Sequence, residues 1–202
     1  MTDHPLHPGT PATLKQRLAM RCLKLFRWKL CVAPFPTQRG VLILYPHTSN
    51  WDFILSMLVK WAIDVHVHWL AKESLFNGIM GRLFGPMLRS WGGEPVVRTT
   101  STGSIDRLVQ RFYAHDWYWL ALTPEGTRHY RPHWRSGFYH IALAAKVPVA
   151  LAFIDYATHE IGVTEFVSLS GDKKADMAKI RQVYAGRRGK YPERAAPIEL
   201  SD

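Results

Sequence analysis

Apolar residues recur at helical spacing from Ala12 to Val32. On a wheel stepped about 100° per residue from Leu14, one half holds Leu14, Leu18, Ala19, Cys22, Leu23, Leu25, Phe26, Leu30 and Val32. Gln16, Arg17, Arg21, Lys24 and Arg27 fall in the other half, with Lys15 and Lys29 out of place on the apolar side and Met20, Trp28 and Cys31 on the polar side. The pattern predicts an amphipathic helix within residues 12–35. Residues 1–11, with His4, Pro5, His7, Pro8 and Pro11, read as a flexible arm. Beyond the helix the period alternates. Strands are predicted at 41–45, 65–70, 95–97, 117–123, 147–155 and 162–166. Helices are predicted at 53–63, 78–90, 105–114, 136–146 and from 172 to about 187. Strands alternating with helices predict an α/β fold, a largely parallel central sheet flanked by helices. Residues 36–190 form one domain in this reading, and 191–202, with Pro192 and Pro197, an irregular tail.

Composition narrows the partners. The 202 residues carry 26 Lys and Arg against 16 Asp and Glu, a net charge of +10, with eight Trp. Such a chain favours an anionic partner: nucleic acid, a membrane surface or a phosphorylated substrate. Residues 1–40 hold seven of the cations and one acid, a local +6. An amphipathic helix there points to lipid, where cations meet anionic headgroups and apolar residues enter the interface. No run approaches the roughly 18 apolar residues of a membrane span. The arm has no signal-peptide core, so the protein is expected not to be secreted. Two cysteines exclude a disulfide scaffold and a four-cysteine zinc site. His66 and His68 share one strand face without a third ligand at suitable spacing, so no metal is expected.

Three segments can carry chemistry. His47-Thr48-Ser49-Asn50-Trp51-Asp52 lies between a predicted strand and a predicted helix. Functional side chains collect at the carboxyl ends of strands in such folds. Ser49 or Asn50 can cap the helix, and a turn can fold Asp52 back onto His47. A carboxylate on one ring nitrogen leaves the other free as a base. The same residues also read as a loop histidine and a capping carboxylate. Thr123-Pro124-Glu125-Gly126-Thr127-Arg128 follows another apolar strand, and Thr127 and Arg128 suit a phosphate. It also reads as a surface turn. Arg98, before Thr99, Thr100 and Ser101, suits a phosphate or a strand-end ion pair.

Taken together, four blocks resemble the glycerophospholipid acyltransferase superfamily, which includes the 1-acyl-glycerol-3-phosphate acyltransferases. They are His-x₄-Asp, Gly92-Gly93-Glu94-Pro95-Val96-Val97-Arg98, Pro-Glu-Gly-Thr-Arg and Val147-Pro148-Val149, in the family's order over roughly residues 40–156. The chain is similar to a short bacterial branch. Val97 stands where an acidic residue is common. Trp134-Arg135-Ser136-Gly137 resembles an aromatic-Lys-x-Gly stretch, with Arg for Lys.

The resemblance implies acyl transfer from acyl-CoA or acyl carrier protein to a lysophospholipid hydroxyl, with lysophosphatidic acid the expected acceptor. It makes His47 the general base and Asp52 its orienting carboxylate. Arg98, Gly126 and Arg128 match phosphate-binding positions, with Thr127 beside them. Glu125 matches a glutamate of binding or architectural role. A thioester is already activated, so no enzyme nucleophile or bound cofactor is implied, and no Gly-x-Ser-x-Gly elbow is present. The resemblance implies a peripheral protein at the cytoplasmic face of the membrane, and nucleic acid becomes the least favoured partner. Acylation of a non-glycerol lyso-lipid, or a basic protein binding RNA or anionic lipid without catalysis, are the competing readings.

Overall fold

The strand Val149–Asp155 is buried at every one of its seven positions. A strand covered on both faces has no polar side to show, so it reads as a continuous apolar run. Its side chains alternate between two cores. Val149, Leu151 and Phe153 enter one cluster, and Ala150, Ala152 and Ile154 the other. The protein is thus a three-layer sandwich built around this strand.

A computed structural model of the protein describes residues 3–4, 6–96 and 104–201. In chain order the elements are β1 (Asp3–His4), β2 (His7–Pro11), α1 (Leu14–Leu25), β3 (Lys29–Val32), β4 (Arg39–Tyr45), α2 (Trp51–Ile63), β5 (Val67–Lys72), α3 (Gly78–Ser90), β6 (Gly93–Val96), α4 (Ser104–Ala114), β7 (Tyr118–Leu122), α5 (Gly137–Ala145), β8 (Val149–Asp155), β9 (Glu160–Val167) and α6 (Lys173–Val183). Single 3₁₀ turns occur at Glu73–Leu75 and Pro192–Arg194. Seven strands form one sheet in the order β3-β9-β8-β4-β7-β5-β6. Every pairing is parallel except β8 with β9. The α/β fold read from the pattern is the fold observed.

One face packs Phe112 of α4, Phe138 and Ile141 of α5 and Ile180 of α6 onto Val41, Ile43 and Leu120. The other packs Ala19 and Leu23 of α1 and Leu55, Val59 and Ile63 of α2 onto Trp119, Ala150 and Ile154. Lys15 of α1 pairs with Asp64, just past the end of α2, at 3.2 Å, so the two helices run antiparallel.

The N-terminal region differs from the expected helix over 12–35 in extent. Thr13 caps α1 through a capping box with Gln16, but the helix stops at Leu25. Arg27 then adopts a left-handed backbone, and β3 pairs with Glu160–Val163 of β9. Leu30 and Val32 pack on one core and Cys31 on the other, the two-residue alternation of a strand. Lys29, misplaced on a helix, is a strand-end cation 2.8 Å from Glu160. A free sheet edge outweighed the apolar periodicity. Within the expected arm, β1 and β2 form a short antiparallel pair. The tail carries one 3₁₀ turn and lies against the core, with Ala196 buried and Leu200 bridged to Trp134.

Candidate active site

Strand β4 ends at Tyr45, a cis Tyr45–Pro46 peptide follows, and the next residues are not helical until Trp51. That turn returns Asp52 to His47. Asp52 Oδ2 accepts hydrogen bonds from the backbone N–H groups of Thr48 and Ser49, both at 2.8 Å. The loop therefore wraps around the carboxylate. Tyr156 donates its hydroxyl to Asp52 Oδ1, also at 2.8 Å. His47 Nδ1 lies 3.4 Å from Asp52 Oδ2, longer than a formed hydrogen bond, and has no other partner among the described residues. Such pairs tighten when substrate binds. Asp52 is wholly buried, and three neutral donors offset the cost of holding its charge there. Of the two expected caps, Ser49 acts: its Oγ accepts from Trp51 N–H at 3.2 Å, while the Asn50 side chain makes no cap bond.

The second motif follows β7, the neighbour of β4. Glu125 accepts from His47 N–H at 2.6 Å through Oε2 and from Ala196 N–H at 2.9 Å through Oε1. Both oxygens are spent on backbone, and the residue is buried. The carboxyl group thereby ties the loop of His47 to Ala196. Gly126 turns with φ of +65°, and a Cβ there would meet Arg135 Nε at 2.8 Å. That turn brings Gly126, Thr127, Arg128 and Arg135 to the lining of one cavity. No carboxylate pairs with Arg128 or Arg135 among the described residues. Arg98 lies outside the described residues.

Glu125 carries a pH signature. Its carboxyl is pushed up to about 7, chiefly by burial, with the charge of Asp52 adding and the Ala196 and His47 N–H groups opposing. The folded protein therefore retains a proton that the unfolded chain releases from about pH 4.5 upward. Where the folded state binds more protons, stability falls as pH rises, here between about 4.5 and 7. The drop is on the order of 3 kcal/mol. Glu125→Gln should lose that component in urea unfolding measured across this window. An identical pH slope in wild type and variant would refute the assignment.

The cavity holds about 1000 Å³ and is lined by His47 and by Phe53, Met57, Trp69, Phe84, Met87 and Trp91. That is the upper end of ordinary ligand pockets. Lys60 also lines it, eight residues or about 12 Å along α2 from Asp52. Its Nζ donates to the carbonyls of Val67 at 2.8 Å and Trp91 at 2.5 Å. Burial and then Lys15 lower its pKa to about 8. Away from this cavity, His68 pairs with Glu94 at 2.9 Å. No cluster able to hold a metal occurs among the described residues.

Two participants were not in the expected set. Tyr156 follows the apolar run of β8, and its place at the carboxyl end of a central strand was the available signal. Arg135 was visible only as an Arg in the place of a Lys.

No curated protein matches the chain. In fold it is similar to the crystal structure of the 1-acyl-sn-glycerophosphate acyltransferase PlsC from Thermotoga maritima. The TM-score is 0.53 at 14% identity, over 87% of this chain and 80% of that one. A family model described as Acyltransferase matches residues 32–153, which span β4, the His47 loop, the Glu125 turn and most of β8. With more than half its length matched, and His47, Asp52 and the Glu125 turn inside the match, the chain belongs to the acyltransferase family.

Proposed function

We propose that the protein transfers a fatty acyl group from acyl-CoA or acyl carrier protein to the hydroxyl of a lysophospholipid, with lysophosphatidic acid as acceptor. The observation that carries this reading is the joint lining of one apolar cavity by His47, backed by Asp52, and by Arg128 and Arg135, two guanidiniums that pair with no carboxylate among the described residues. Apolar walls suit an acyl chain, and the guanidiniums suit a phosphate monoester. The substrate named for the similar PlsC structure agrees with that choice.

In this mechanism Asp52 holds Nδ1–H, and Nε2 takes the proton of the acceptor hydroxyl. The oxygen attacks the thioester carbonyl, and Asp52 stabilises the imidazolium that forms. The tetrahedral adduct collapses with cleavage of the C–S bond. The imidazolium returns its proton to the departing thiolate, giving the ester and a free thiol. The donor is a substrate rather than a resident cofactor. Arg98 would join Arg128 on the acceptor phosphate, with Gly126 and Thr127 shaping the turn beside it.

The test is product analysis by mass spectrometry. Purified protein is given acyl-CoA or acyl carrier protein with a panel of lysolipids, glycerol-based and not. Acylated lysophosphatidic acid is the expected product. Transfer only to a non-glycerol lyso-lipid would overturn the acceptor, and no transfer to any would overturn the activity.

The same reading places the protein on the cytoplasmic face of an anionic membrane. No helix among the described residues is long and apolar enough to cross one. Helix α1 buries Gln16, Ala19 and Leu23 inward and exposes Leu14 at 65%, Leu18 at 50% and Leu25 at 78%. An outward leucine stripe flanked by cations suits an anionic bilayer. Replacing the three leucines by serine should cut co-sedimentation with anionic vesicles about ten-fold or more, at about 0.8 kcal/mol per buried methylene. Undiminished binding would remove α1 as the contact.

A further inference from the structure

The segment 188–201, which is the irregular tail and the three residues before it, contacts the end of β8, the loop of His47 and the turn of Glu125. It starts at the carboxyl end of β8, where Tyr156 N–H donates to Arg188 O at 2.9 Å and Arg188 N–H to Asp155 Oδ1 at 3.3 Å. Gly189 then packs against Thr48 and Pro46. Tyr191 N–H donates to Thr48 Oγ1 at 3.2 Å. Ala196 N–H takes Glu125 Oε1, and Ala196 O accepts from the Tyr45 hydroxyl at 3.0 Å. The tail ends clamped to Trp134: Trp134 N–H donates to Glu199 O at 2.7 Å, and Ser201 N–H to Trp134 O at 3.0 Å.

Two of these contacts converge on His47. Thr48 is its chain neighbour and gives its own N–H to Asp52. Glu125 accepts the His47 N–H. In each case the group that touches His47 or its partner makes a second bond, and that bond goes to the tail. Thr48 is wholly buried and Glu125 nearly so, so neither contact is exchangeable for water. A shift of the tail therefore moves the loop that sets the 3.4 Å separation of His47 and Asp52.

We propose that residues 188–201 are a strap that sets the geometry of the catalytic dyad, with Thr48 as the positioning residue through which it acts. The proposal rests on the acyltransferase reading for its kinetic consequence. The strap touches neither reacting atom. It fixes where the imidazole sits, and misplacement by an ångström can cost about 100-fold in rate.

Three variants of the full chain test this. Thr48→Val keeps the volume and deletes the acceptor of Tyr191 N–H. Thr48→Ser keeps the hydroxyl. Gly189→Ala pushes from the strap side, because its Cβ would lie 2.6 Å from Thr48 Oγ1 and 3.1 Å from Pro46 Cβ. Expected are kcat losses of about ten-fold or more in Thr48→Val and Gly189→Ala, KM for both substrates within about two-fold, and near wild-type kcat in Thr48→Ser. Amide exchange at residues 47–49 should quicken in the first two variants and not in the third. Wild-type kcat in Thr48→Val or in Gly189→Ala overturns the proposal, as does an equal loss in Thr48→Ser. If Thr48→Val does not fold, Gly189→Ala decides. If the wild-type protein transfers no acyl group, the acyltransferase reading fails, and the exchange measurement still decides the strap: unchanged exchange at 47–49 overturns it.

Discussion

His47→Ala is expected to lower kcat for acyl transfer by about 10²- to 10⁴-fold, the range general-base catalysis ordinarily supplies. That corresponds to about 3–5 kcal/mol of barrier. A lysophospholipid hydroxyl is a poor nucleophile until a base takes its proton, and His47 is the imidazole that both lines the cavity and faces a buried carboxylate. Acceptor KM should change little, because Arg128 and Arg135 remain at the cavity. The fold should hold as well, since the His47 bond to Glu125 is made by its backbone N–H. Steady-state kinetics with a melting curve separates these effects. A variant within about two-fold of wild-type kcat would remove His47 from the mechanism.

Asp52→Asn should cost on the order of 10²- to 10⁴-fold in kcat while costing the fold only about 1–2 kcal/mol. The asymmetry follows from the donors. Two backbone N–H groups point at Oδ2 and cannot turn around, whereas the Tyr156 hydroxyl at Oδ1 can. An asparagine places its oxygen on the loop and its amide on Tyr156, whose hydroxyl then accepts. The loop survives, but the charge that stabilises an imidazolium is gone. Urea unfolding and kinetics on the same preparation read both quantities. A kcat loss below about three-fold would show that Asp52 only builds the loop.

Much of the fold was legible because local rules and global packing agreed. Strand β8 was legible as an apolar run over 147–155 interrupted at Pro148, and it starts just past that proline at Val149, while α3 matches its expected bounds at Gly78–Ser90. The first 35 residues show where agreement ended. Leu30 and Val32 satisfy a helical wheel and a two-residue alternation equally well, and only the open edge of β9 chose between them. The site was legible to the same degree. His47 and Asp52 were placed by spacing, with the turn between them required rather than visible. Tyr156 lies 104 residues from Asp52, and no local pattern ties such a pair. Glu125 had two candidate roles, and no local pattern showed that both its oxygens would meet backbone N–H groups 78 and 71 residues away.

The sequence alone determined the alternation of elements, the order of the motifs, the basic N-terminal stretch and the placing of a carboxylate five residues beyond a histidine. Each of these is a local property, written in periodicity, charge or spacing. The tertiary structure decided which backbone N–H groups hold Asp52, which hydroxyl completes it, and that the tail closes over the loop of His47. Those contacts join residues distant in the chain. They exist only because parallel strands deliver the carboxyl ends of β4, β7 and β8 to one edge of the sheet.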